Sequence, residues 1–339
     1  RANIQDNNRG NNTNKNKIMA EYPEISRKAT REGFGEALYD LGKADNNVIG
    51  LSADLAGSLK MTKFWEAFPE RFYQCGVAEA NMMGVAAGLT IGGKIPFTGT
   101  FANFATGRVF DQVRQSIAYS YKNVKICASH AGLTLGEDGA SHQILEDIGL
   151  MRMLPNMTVI NPCDYNQTYQ ATKAVYEIFG PAYVRFGRPK MPNFIPEEME
   201  FKIGKALPLK EGKDVTIFAT GHLVWEALKA EEMLSEEGID AQVVNIHTIK
   251  PLDEEYILDA ASKTQCVVTA EEHQRNGGLG DAIAQLLSRH EPTKMEMVAV
   301  NDRFGESGKP DALLEKYGLN AQEIRNSVVK ALERKYEKT

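Results

Sequence analysis

The chain has 339 residues, 42% of them apolar, which is enough to bury two cores of ordinary domain size, so two globular domains are expected. A net charge of -6 with a pI near 5.7 disfavours nucleic acid and anionic membrane surfaces as partners and leaves small soluble ligands. No uninterrupted apolar run reaches the roughly eighteen residues of a membrane span, and Cys75, Cys127, Cys163 and Cys266, spaced unlike any Cys-x-x-Cys signature, read as reduced thiols of a cytoplasmic enzyme.

Residues 1 to 18 hold seven asparagines, four basic residues and one acid, and almost nothing apolar. Such a composition does not fold alone, so 1–20 is expected to be a disordered tail or a cloning remnant, with Met19 looking like a native start. Thr30 to Lys43 places Phe34, Ala37, Leu38 and Leu41 at helical spacing, and Asn46-Asn47 then leads into a buried strand at Val48 to Leu51. The uncharged stretch Ala80 to Gly93 reads as a buried helix and turn. Further strands are expected at Ile95 to Thr98, Val124 to Ala128, Met157 to Ile160 and Ala182 to Phe186, with helices at Val109 to Tyr119 and Asn166 to Ile178 between them.

Pro189 to Pro196 and the acidic pair after it read as a linker, placed at 191–200. A second α/β domain is expected over 201–339, with strands at Val215 to Phe218, Ala241 to Asn245 and Cys266 to Thr269, and helices at Leu223 to Glu237 and Gly280 to Arg289. Short apolar strands between helices imply mostly parallel sheets covered on both faces. The fold class is therefore α/β, with two such domains.

The most informative residue is Glu79, the one ionisable group in Gly76-Val77-Ala78-Glu79-Ala80-Asn81-Met82-Met83-Gly84-Val85-Ala86-Ala87-Gly88. Burial of that carboxyl would disfavour its anion and suit it to holding or sharing a proton. The plain alternative is a first-turn glutamate facing the positive end of a helix. Around it stand Gly50-Leu51-Ser52-Ala53-Asp54-Leu55, Gly99-Thr100-Phe101-Ala102-Asn103-Phe104, and Ser129-His130-Ala131-Gly132 leading to Gly136-Glu137-Asp138-Gly139-Ala140-Ser141-His142-Gln143. In this order the four segments resemble transketolase from about Ala29 to the C-terminus. The last, with His, Asp and His at fixed spacing, is the most specific.

The resemblance implies a pyrimidine-binding domain over 21–190 and a transketolase C-terminal domain over 201–339. The family's Gly-Asp-Gly, which holds diphosphate and metal, does not occur in the sequence. The chain thus resembles the C-terminal subunit of a split transketolase of the pentose phosphate pathway, active with an N-terminal partner subunit. The implied cofactors are thiamine diphosphate and Mg2+ or Ca2+ bound mainly by that partner, with no metal ligand here. Self-association through the C-terminal half, as α2β2, and sugar phosphate substrates are also implied.

By match, Glu79 engages N1' of the cofactor's pyrimidine, Phe101 and Phe104 wall that ring, and Asp54 lies close by. His142 and His130 are the catalytic histidines, with His142 shuttling protons to and from the ketose oxygens and His130 donating to the C1 hydroxyl or carbonyl region. Asp138 reads the C2 hydroxyl of the acceptor, and Arg31, Ser58 and Arg188 fall at phosphate-binding positions. Gly107 stands where many members carry a third aromatic. His222, His247, His273 and His290 are expected to be structural, with His273 in a loop near a subunit interface. The alternatives are the β subunit of a 2-oxo-acid dehydrogenase E1, a deoxyxylulose-phosphate-synthase-like enzyme, and a non-catalytic paralogue that only binds a partner.

Overall fold

In a computed structural model, residues 25–336 are described. The tail expected at 1–20 lies outside the described residues. The first half of the chain supplies strands β1 (Ser26–Ala29), β2 (Val48–Ser52), β3 (Phe72–Gln74), β4 (Ile95–Phe101), β5 (Lys125–Ser129), β6 (Thr158–Ile160), β7 (Ala182–Arg185) and β8 (Lys190–Asn193). The second half supplies β9 (Leu207–Lys210), β10 (Val215–Ala219), β11 (Ala241–Asn245), β12 (Thr248–Lys250), β13 (Cys266–Gln274) and β14 (Lys294–Val300).

Strands β2, β5, β10 and β11 are buried along their whole length, as continuous apolar strands of helix-covered parallel sheets must be. One sheet runs β12-β6-β7-β5-β4-β2-β3 and the other β14-β13-β10-β11-β9. All pairings within them are parallel except β12 on β6 and β9 on β11. In the first sheet the chain leaves β2 for β3 on one side and returns to β4 on the other. That reversal opens a crevice beyond the carboxyl ends of β2 and β4, where ligands of such sheets bind.

Four expectations change in three dimensions. Strand β4 continues past Thr98 to Phe101. The helix expected over Val109 to Tyr119 is one short α-turn, Phe110–Gln112, followed by a π-helix, Val113–Tyr119, whose buried Val113, Ile117 and Ala118 suit the wider i to i+5 turn.

The expected linker at 191–200 begins as structure: β8 pairs antiparallel with β1, and the buried Asp164 carboxylate accepts the backbone N–H groups of Phe194 and Ile195 at 2.8 and 2.7 Å. A rich proline content hid this pairing because Pro192 sits on an edge strand, which tolerates a missing donor. Finally, β12, from the second half, completes the first sheet by pairing with β6.

The two domains share a core. One cluster joins Ile49, Leu51, Met82 and Ile126 of the first to Phe218, Val244, Ile257 and Ile283 of the second. All four cysteines are free. Among the described residues, no helix is long and apolar enough to cross a membrane.

Candidate active site

Glu79 opens the helix Glu79–Leu89 and is 4% exposed. Its N-terminal position aims a carboxyl at the positive end of the helix, while the small residues after it keep the surroundings apolar. Arg108 Nη1 donates to Glu79 Oε1 at 3.5 Å. The same guanidinium lies flat over Phe104, 3.9 Å from the ring centre. Phe104 stacks on Phe101 at 5.8 Å, and Phe101 stacks on His130 at 3.9 Å. Glu79, Arg108, Phe104, Phe101 and His130 thus touch in sequence across the crevice.

These positions follow from the topology. Phe101 ends β4, the short helix Ala102–Ala105 then carries Phe104, and His130 directly follows β5. His130 has φ +58°, a left-handed conformation that a histidine adopts only when its surroundings hold it. Its Nδ1 shares a 2.7 Å hydrogen bond with Ser129 Oγ. Burial, followed by the Arg31 and Arg188 guanidinium charges, pushes the His130 pKa down to about 3. His130 is therefore a neutral hydrogen-bonding group around neutral pH.

The two arginines converge on the same side. Arg31, at the start of the helix Thr30–Ala44, donates to the Ser58 carbonyl at 2.9 Å, and its Nε is buried without a hydrogen-bond partner. Burial and the nearby Arg188 lower the Arg31 pKa. Two guanidinium groups within electrostatic reach, one with a spare donor, have the chemistry that suits an anion. Ser58 contributes its carbonyl to holding Arg31. Arg188 donates to the Leu135 carbonyl at 2.7 Å and pairs with Glu137 at 2.8 Å.

Asp138 and His142 lie on the loop between β5 and the helix Asp147–Met153. Asp138 is exposed, and His142 is partly buried with Nδ1 3.0 Å from Ser141 Oγ and its ring edge-on to Phe104 at 5.4 Å. Asp54 follows β2 with φ +60°, and its N–H donates to Gln74 Oε1 at 2.6 Å. It is exposed.

His247 and His273 are buried, His222 is half-buried, and His290 ends a helix in solvent. His273 packs against the first domain, its Nε2 accepting from the Gly149 N–H at 3.3 Å.

Two participants escaped the sequence reading. Arg108 occupies the exposed side of Phe104 next to Gly107, where a third aromatic was absent, and its only sequence signal was adjacency to that glycine. Asn103 ties the two motifs together by donating to the Ser141 carbonyl at 2.9 Å. The assembled residues fit an aminopyrimidine, since a helix-start carboxyl, two nearly buried phenylalanine rings and a stacked guanidinium offer one acid and an apolar slot. Among the described residues, no group of three His, Cys, Asp or Glu is placed to hold a metal ion.

Comparison with known proteins places this geometry. Residues 26–193 match the transketolase pyrimidine-binding domain, and residues 204–324 match the transketolase C-terminal domain. A transketolase C-terminal section from Methanocaldococcus jannaschii is 46% identical over 310 residues, covering 91% of this chain and 97% of that protein. The 6-deoxy-6-sulfo-D-fructose transketolase subunit of a Clostridium species is 45% identical, over 90% of this chain and 95% of that protein. A solved structure described as a split-gene transketolase, an inactive β4 tetramer, superposes with a TM-score of 0.85 at 51% identity, over 90% of this chain and 98% of the other.

Proposed function

This chain belongs to the transketolase family as a C-terminal subunit, and on that premise we propose that it helps move a two-carbon ketol unit from a ketose phosphate to an aldose phosphate. It works with an N-terminal subunit that brings the diphosphate and the Mg2+ or Ca2+ site, and its copies associate through the C-terminal half. The description of the split-gene relative as an inactive β4 tetramer supports this dependence on a second chain. The family's two domains imply thiamine diphosphate, which when bound supplies a thiazolium carbon able to accept the ketol group.

Each residue then has a defined task. Glu79 holds or shares a proton at N1' of the pyrimidine, from a pocket where few other groups compete for it. Phe101 and Phe104 flank the ring and exclude water, while Arg108 closes the outer face of Phe104. His142 moves protons to and from the sugar oxygens. Neutral His130 orients the hydroxyl nearest the reacting carbon. Asp138 accepts from the C2 hydroxyl of the acceptor, and Arg31 with Arg188 holds the terminal anion.

The observation that carries this reading is the unbroken contact path from Glu79 to His130, ending beside two converging arginines. The purified chain alone is expected neither to bind thiamine diphosphate at micromolar concentration by calorimetry nor to transfer ketol groups, and mixing with the N-terminal subunit restores both. Micromolar binding by the chain alone overturns the shared-site reading.

A further inference from the structure

The loop from His130 to Gln143 belongs to the first domain, yet much of what holds it comes from the second. Glu272, near the end of β13, is buried at the domain junction. Its Oε1 accepts the Thr134 N–H at 2.7 Å and its Oε2 accepts the Thr134 hydroxyl at 3.2 Å. Gly132, with φ +78°, passes so close that any side chain there would collide with the same carboxyl. Arg185, itself fixed by a 2.7 Å bond to Asp147, donates to the Glu272 carbonyl at 2.8 Å and so sets where the glutamate stands.

The other end of the loop is held from the second domain as well. The Ser307 hydroxyl donates to the Glu137 carbonyl at 2.6 Å. Gln143 Nε2 bridges the Leu133 carbonyl at 3.1 Å and the Glu306 carbonyl at 3.0 Å, and Gly305 leaves the space that Gln143 fills. A buried carboxylate without its donors is costly, so Glu272 and Thr134 hold each other.

We propose that the C-terminal domain is a clamp on the loop that carries His130, Asp138 and His142, with Glu272 as the positioning residue that fixes the loop backbone at Thr134. The proposal deepens the transketolase reading and rests on it for what the loop binds. Its physical content is geometric. His130 needs support for its left-handed backbone, and displacement of a reacting group by about an ångström costs on the order of a hundredfold in rate.

The test separates the clamp from the enzymatic reading. In the full chain without cofactor, hydrogen exchange is measured at the Thr134 amide in the wild type, Glu272→Ala and Glu272→Gln. Glu272→Ala is expected to exchange at least tenfold faster at Thr134 while amides of β4 and β5 stay protected, and Glu272→Gln, which keeps an acceptor oxygen, recovers most of the protection. In the reconstituted enzyme, Glu272→Ala should lower kcat/KM for the acceptor at least tenfold and leave exchange of the cofactor's C2 proton unchanged.

Unchanged Thr134 protection in Glu272→Ala overturns the clamp, as does an equal loss of C2-proton exchange and acceptor turnover. If the exchange result holds and the reconstituted complex handles no ketose, the clamp stands and the transketolase reading fails. Should Glu272→Ala not fold, Ser307→Ala reads the same clamp at its other end through faster exchange over residues 137–142, and no acceleration there counts against it.

Discussion

At the cofactor end of the site, Glu79 has one long contact, 3.5 Å to Arg108, and its helix turns Ala80, Asn81, Gly84 and Gly88 outward with nothing near either glycine. At the substrate end, the loop over residues 130–143 is tied at Thr134, Glu137 and Gln143 by bonds of 2.6 to 3.2 Å to the second domain or within itself. On the proposed reading, one chain finishes the substrate side and leaves the cofactor side as a surface that another body can complete. An open helix face of small residues suits close approach by a second backbone, whereas a loop carrying three polar groups must be fixed before any ligand arrives.

The strongest way to break that contrast is at Glu79. In the reconstituted enzyme Glu79→Gln is expected to slow C2-proton exchange of the cofactor by about a hundredfold or more, because general acid–base groups contribute on that scale, with the melting temperature unmoved. Exchange at the wild-type rate removes Glu79 from the chemistry.

At the substrate end the expected effect is selective. Asp138→Ala should lower kcat/KM for a phosphorylated 2-hydroxyaldose about ten- to a hundredfold more than for the matching 2-deoxyaldose phosphate, which lacks the C2 hydroxyl, since a hydrogen bond to a charged group is worth roughly 1.5 to 3 kcal/mol. Equal losses on both acceptors would make the loop structural only.

The domain seam can be tested through His247, buried beside Phe201 at the start of β12. Burial lowers its pKa to about 4, so the unfolded chain takes up a proton near pH 6.5 that the folded chain refuses. Stability contributed by this group therefore falls as the pH drops from about 6.5 towards 4, by about 2 kcal/mol at pH 5. His247→Gln should flatten the acid side of the stability curve by that amount in denaturant titrations at pH 7 and pH 5. An unchanged slope means that the histidine is not shielded in solution.

The smallest effect is expected at Arg108. An exposed guanidinium stacked on a ring contributes about 0.5 to 1 kcal/mol, so Arg108→Ala should weaken cofactor activation of the reconstituted enzyme about two- to fivefold. A gain in affinity would instead show that Arg108 holds Glu79 away from the cofactor.

Much of the scaffold was legible locally. Apolar runs such as Val48 to Leu51 and Val215 to Phe218 cannot be satisfied except as strands covered on both faces, and the isolation of Glu79 marked the carboxyl to watch. The relation of Phe101, Phe104, His130 and His142 was carried by motif resemblance, and their stacking distances came only with the fold. For Arg108 the one signal, adjacency to Gly107, was too weak to use, because an arginine beside glycine looks like any solvated charge. Pairing of β8 with β1 was masked by prolines that local rules read as a linker.

The sequence by itself determined most element types, the α/β class, the order of the motifs and the identity of the ionisable groups, because hydrophobic period and residue chemistry act over a few positions. Tertiary structure alone decided that β12 joins the first sheet, that Arg188 comes within electrostatic reach of Arg31, and that Glu272 holds Thr134 from 138 residues away. Those pairings depend on which surfaces meet once two cores merge, and no local pattern encodes a hydrogen bond whose partners are adjacent only after folding.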